Sequence, residues 1–171
     1  MISTDHGKVL AINEWLFADL LNQNGQDRRG QAGEFLLILS RRPDRILFPT
    51  PSPWAEKVFR LSRAANTDMA CWAACKLLHG VILRDSAKAV LIDPERARPL
   101  EPGQESGIPE EDRYLVRAAL AGHADVLVTT DQALLEGVNQ SSLSFKAVYR
   151  DEFLEEYLVK GTSIPRMNKA P

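Results

Sequence analysis

Only two cysteines occur in the 171 residues, Cys71 and Cys75, four apart in the segment ACWAACK. On a helix they share a face, beside Trp72 and Ala74. Two thiols with no histidine pair beside them do not make a tetrahedral zinc site. They read as small buried core residues in a reducing compartment. No apolar run is long enough to span a bilayer, and Asp5 and His6 interrupt any apolar core that a secretory leader would need. The expected location is the cytoplasm, with no membrane partner. An excess of one charge is missing too. Twenty-one Lys and Arg against 23 Asp and Glu leave a formal net charge of −2. That argues against a protein that coats nucleic acid by electrostatics alone, though not against an enzyme that touches it through a local basic patch. Arginines recur at Arg28, Arg29, Arg41, Arg42, Arg45, Arg60 and Arg63, where the plain reading is solvated faces. There is no phosphate-binding glycine loop, no GxGxxG, no HExxH and no GxSxG. None of the three histidines has an evident catalytic partner. His6 lies in the terminal segment, His79 near a helix end and His123 in a turn.

What remains is an ordinary globular composition, 44% hydrophobic and 26% charged, long enough for one domain with a real core. We expect that domain over residues 1–160, followed by a polar tail over 161–171. Residues 8–12 (KVLAI) read as a first strand, and Trp15 to Leu21 as a helix stopped by Asn24-Gly25. Residues 31–40 read as a helix, although FLLIL would also suit a strand. Residues 45–48 (RILF) make a strand cut off by PTPSP. A helix follows from Ser52 or Pro53 to about Ala64, with Trp54, Val58 and Leu61 as its apolar stripe, and another over 67–79 ends near Gly80. Residues 88–92 form a strand, 94–107 a surface loop, 146–149 a last strand and 151–158 a closing helix. Strands alternating with helices predict a three-layer α/β/α sandwich with a mainly parallel central sheet.

The densest signal lies between Ile108 and Gly137. A helix is expected over 109–122, with Pro109 and the acids Glu110, Glu111 and Asp112 at its positive end. Leu115, Val116 and Ala119 lie three, four and seven residues after Asp112, so that carboxylate falls on the apolar face. Residues 125–129 (DVLVT) read as a buried strand. Thr130 and Asp131 come at its carboxyl end, where open α/β sheets place their chemistry. Asn13 and Glu14 stand at the end of the first strand, and Glu56 opens the helix after the second. In a parallel sheet these positions share one edge. Carboxylates gathered there repel unless a hard divalent cation such as Mg²⁺ or Mn²⁺ neutralises them. Each acid also has a plain reading. Asp112 suits a helix start, Asp131 an N-cap and Glu56 a solvated face, while Asp85 and Asp93 suit turns.

The run DRYLVRAALAGHADVLVTTD at 112–131 resembles the second half of a PIN domain, the ribonuclease fold of many toxin–antitoxin toxins. Thr129 and Asp131 stand in that family's T-x-D form. KAVYRDEFLEEYL is similar to its final strand and helix, KVLAINEWL to its opening strand, and RILFPTPSPWAEKVFRL to its second strand and glutamate-bearing helix. The resemblance implies a Mg²⁺- or Mn²⁺-dependent endoribonuclease. Asp112 and Asp131 would hold the ion, Glu14, Glu56 and Asn13 would complete the site, and Thr129 or Thr130 would orient a ligand or water. It also implies RNA held by nearby arginines, an antitoxin or inhibitor protein as partner, and a homodimer. One departure matters: the family usually has aspartate where this chain has Asn13. An amide offers an oxygen but no charge, so the alternative is a catalytically degenerate PIN-like domain that binds RNA or protein. A receiver-type phosphoacceptor built on Asp93, Thr129 and Lys146 fits poorly, because Lys146 stands at the start of its strand instead of following it.

Overall fold

A computed structural model describes residues 7–162. His6 and residues 163–171 of the polar tail lie outside the described residues. Five strands form one sheet, every pairing parallel: β1 (Val9–Ile12), β2 (Arg45–Pro49), β3 (Ala89–Ile92), β4 (Val126–Thr129) and β5 (Lys146–Tyr149). Their spatial order is β3-β2-β1-β4-β5, so β1 and β4 are central neighbours. The helices are α1 (Trp15–Leu20), α2 (Gln26–Arg41), α3 (Pro53–Ala64), α4 (Met69–Cys75), α5 (Pro102–Glu105), α6 (Arg113–Ala121), α7 (Gln132–Gln140) and α8 (Arg150–Thr162).

Successive residues of a strand point to opposite faces, and the core divides accordingly. Leu10, Ile12, Ile46 and Val128 pack with α1, α2, α3, α4 and α8. Val9, Ala11, Leu47, Leu127 and Ala147 pack with α6 and α7. The result is the expected three-layer α/β/α sandwich. Parallel strands buried on both faces read as continuous apolar runs, which is why VLAI and VLVT are legible without alternation.

Several boundaries differ from the sequence reading. The FLLIL segment is helical, and α2 begins at Gln26, five residues earlier than expected. The helix expected over 67–79 becomes a π-helix over Lys76–Ile82, where the Leu83 amide bonds the Leu78 carbonyl at 2.8 Å. The 94–107 segment is not loop throughout, since it contains α5. It is also tied to α6, because Arg117 donates to the Ala97 carbonyl and Arg113 pairs with Glu105. The helix expected over 109–122 opens with a 3₁₀ turn, Glu110–Asp112, before α6 proper. Among the described residues no helix is long and apolar enough to cross a membrane.

Candidate active site

The carboxyl edge of the two central strands holds the site together. The Asn13 amide continues the β1–β4 ladder by donating to the Val128 carbonyl at 3.0 Å. Two tryptophans close the strand ends. Trp15 Nε1 donates to the Val128 carbonyl at 3.0 Å, and Trp54 Nε1 to the Ile12 carbonyl at 2.7 Å. Each indole fills the core with its ring while donating to a carbonyl near the end of a central strand.

Beyond the strand ends, Thr129 is the junction. Its fully buried Oγ1 accepts from Asn13 Nδ2 at 3.0 Å and from the Asp131 amide at 2.9 Å. Asn13 Oδ1 in turn accepts from the Glu14 amide at 2.8 Å. Both ends of the Asn13 side chain are therefore engaged in shaping the two loops. With a carboxylate here the Thr129 hydroxyl would have to donate instead of accept, so the amide sets the direction of this contact. Asp131 does cap α7, with Oδ1 accepting from the Leu134 amide at 3.0 Å. The N-cap reading of this residue is thus correct, and it leaves the second carboxylate oxygen free of the cap.

Asp112 sits at the N-terminus of α6, 8% exposed, on the same side as the buried Leu115, Val116 and Ala119. Its burial agrees with the expectation from its spacing to those residues. Its carboxyl is pushed up to about 6, first by burial and then by the negative charges of Asp131, Glu111 and Glu14. The acids named from sequence at 14 and 131 are thus near enough to act on Asp112. Glu56 is not brought in, because α3 leaves it exposed and its charge is not among those acting on Asp112. The residue α3 does deliver is Lys57, whose Nζ lies 2.6 Å from Glu14 Oε2. Tyr114 donates to Glu14 Oε1 at 3.3 Å. Burial, followed by the Glu14 charge, holds its phenol well above the ordinary value, so it stays a donor.

Lys57 and Tyr114 escaped the sequence reading. A signal for Lys57 was present: Trp54, Lys57, Val58 and Leu61 follow the i, i+3, i+4, i+7 rule, so a cation stands in the apolar stripe. Three of the arginines flagged from sequence are engaged away from these acids. Arg28, Arg29 and Arg42 pair with Asp151, Asp68 and Asp44. Cys71 is buried, Cys75 partly buried, and both are free thiols as expected. Asp93 follows the edge strand β3 and pairs with Arg96, which suits its reading as a turn residue.

Among the described residues, no three or more His, Cys, Asp or Glu side chains are gathered closely enough to hold a metal ion. That rules against a closed cage built from this cluster. Mg²⁺, however, keeps several waters and takes one or two carboxylates plus substrate phosphate oxygens. Asp112 and Asp131 are the two carboxylates that could meet that sparser demand, since Asp131 is the first of the charges that, after burial, raise the Asp112 carboxyl.

The Asp112 environment has a measurable consequence. Its folded carboxyl titrates near 6 against an ordinary 3.8. Well below the ordinary value of 3.8 it is protonated whether folded or unfolded. As pH rises from 4 to 6 the unfolded chain releases this proton first, so stability is lost through that window. Asp112→Asn is therefore expected to be near neutral at pH 4 and stabilising by about 1–2 kcal/mol at pH 8. Thermal unfolding at both pH values checks this, and an equal effect at the two would contradict it.

No family model, curated protein or solved structure matches the chain, so the site must be read from its own residues.

Proposed function

We propose that the chain is a PIN-like, metal-dependent ribonuclease in which Asp112 and Asp131 hold Mg²⁺ or Mn²⁺ against an RNA phosphodiester. The observation that carries this reading is Asp112, a buried carboxylate held beside the like charges of Asp131, Glu111 and Glu14 at the carboxyl edge of a parallel sheet. Carboxylates raised by burial together with specific charged neighbours cluster at functional sites. A bound ion would supply Lewis-acid polarisation of the phosphoryl oxygen and neutralise charge that develops there.

The rest of the work falls to the chain. The 3₁₀ turn Glu110–Asp112 and α6 hold Asp112 against the sheet. Thr129 fixes the Asp131 backbone and Asn13 together, so the two loops cannot shift independently. Lys57 and Tyr114 grip both oxygens of Glu14, which orients it without its full charge facing Asp112.

The test is cleavage of single-stranded RNA with Mg²⁺ or Mn²⁺ present and after chelation. Asp131→Asn keeps a side chain able to cap α7 but removes the charge, so cleavage should fall about 100-fold with the fold intact. Unchanged cleavage in that variant would reject the role of Asp131. A second reading is the catalytically degenerate binding module. What favours it is that Asn13 is tied at both ends and Glu14 is paired with Lys57. Retained RNA binding without cleavage or ion uptake would select it.

A further inference from the structure

Lys57 stands out because its place is neither a solvated face nor a core position. It lies one helical turn from the fully buried Trp54, beside the buried Val58, and its ammonium is directed at the acidic edge of the sheet. The Nζ–Oε2 separation of 2.6 Å is that of a charge-assisted hydrogen bond between partly buried groups, with the side chains 31% and 33% exposed. Tyr114 closes the other oxygen of the same carboxylate. Glu14 is the residue after Asn13, at the position where the chain could have recovered the charge that Asn13 does not carry. The lysine cancels that recovery. Of the four acids that interact around Asp112, Glu111 is exposed and Glu14 is balanced, which leaves Asp112 and Asp131 as the uncompensated pair.

We infer that Lys57 is a built-in counter-cation that withholds Glu14 from the ion-binding set and so sets how tightly the cleft takes a divalent ion. The inference rests on the metal-dependent reading of the cleft. A cation tethered on α3 lowers the local negative charge, which weakens capture of a free ion. Its ammonium also stays beside the edge where a phosphodiester would lie, and Lys binds phosphate as a compact point charge. Lys57 is a positioning residue in this account, since it acts through Glu14. An ion held by two carboxylates would depend on the substrate phosphate to complete its shell. The cleft would then load fully only with RNA present.

Calorimetric titration of the full chain with Mn²⁺ tests this without reference to turnover. Lys57→Met frees Glu14 and should tighten Mn²⁺ binding about tenfold. Lys57→Arg, which keeps the charge, should bind as the parent does. The double variant Lys57→Met with Glu14→Gln should lose the gain. A purely structural lysine would alter the unfolding temperature of Lys57→Met and leave Mn²⁺ affinity unmoved. Lys57→Gln replaces Lys57→Met if the latter does not fold. Binding by the parent that is unchanged or weaker in Lys57→Met overturns the inference while leaving the metal-dependent reading intact. Binding gained only in Lys57→Met upholds the inference, the parent cleft then loading only beside RNA. Failure of every variant to bind overturns the inference, while cleavage before and after chelation decides the metal-dependent reading separately.

Discussion

Replacement of Arg150 by leucine is expected to remove about 3–5 kcal/mol of folding stability, a large part of what a domain of this size possesses. The side chains of Arg150 and Asp19 are 1% and 0% exposed, with Nε 2.7 Å from Oδ2. The remaining guanidinium donors reach Gln31 Oε1 at 3.0 Å, Asp151 Oδ1 at 2.7 Å and the Arg28 carbonyl at 3.3 Å. The plane also lies over the Trp15 ring, 5.1 Å from its centroid. Leucine matches the apolar surroundings but leaves Asp19 buried with only the Asn24 amide as partner. The cost is that stranded carboxylate, not the loss of one attraction. Adding Asp19→Asn should therefore recover part of the loss, because a neutral amide is cheaper to bury than an unpaired charge. Denaturant unfolding of the two variants checks this. A single variant that loses less than about 1 kcal/mol, or a double variant no better than the single, would contradict it. The same contact reaches the candidate site, since Trp15 carries Arg150 on its face and bonds the Val128 carbonyl that also receives the Asn13 amide.

The second large effect is expected at Gly137, in the middle of α7. A Cβ built there would lie 2.1 Å from the Gly107 carbonyl oxygen and 2.9 Å from its carbon. Both are backbone atoms, so no rotamer change relieves the overlap, and helix and segment must separate. Gly137→Ala should cost about 3 kcal/mol, the upper part of the usual range for overpacking. The control is Gly30→Ala in α2, where a Cβ meets nothing within 4 Å. There the better helix former should stabilise by up to about 1 kcal/mol. Thermal melts of the two side by side decide the matter, and equal effects would refute the packing argument. The contact also bears on the cleft. Asp131 caps α7, and Gly107 begins the short segment that leads to Asp112. The glycine pair holds α7 against the segment that leads to Asp112, so Gly137→Ala should weaken Mn²⁺ binding as well as stability.

The sheet was legible because each strand is short, apolar and bounded by turn residues. VLAI, RILF, AVLI, VLVT and KAVY were all found, to within a residue or so. Asp112 was legible because a carboxylate at helical spacing from Leu115, Val116 and Ala119 is out of place unless it faces something. Asp131 was legible from its place after a buried strand. Arg150 was not read, although an arginine opening a helix stands against the positive end of its dipole and so hints at a stronger partner. Its partner Asp19 lies 131 positions away, and no local pattern joins them. Glu56 had two readings from sequence, and its exposure on α3 favours the solvated face over a place in the site.

Local spacing therefore carries the strands, the helix faces and the candidacy of Asp112 and Asp131, because periodicity and residue type act over a few neighbours. Strand order, the meeting of Asp19 with Arg150 and of Glu14 with Lys57, and the rise of the Asp112 carboxyl to about 6 come from folding alone. Each depends on distance, burial and charge between residues far apart in the chain, and these exist only once the layers have packed.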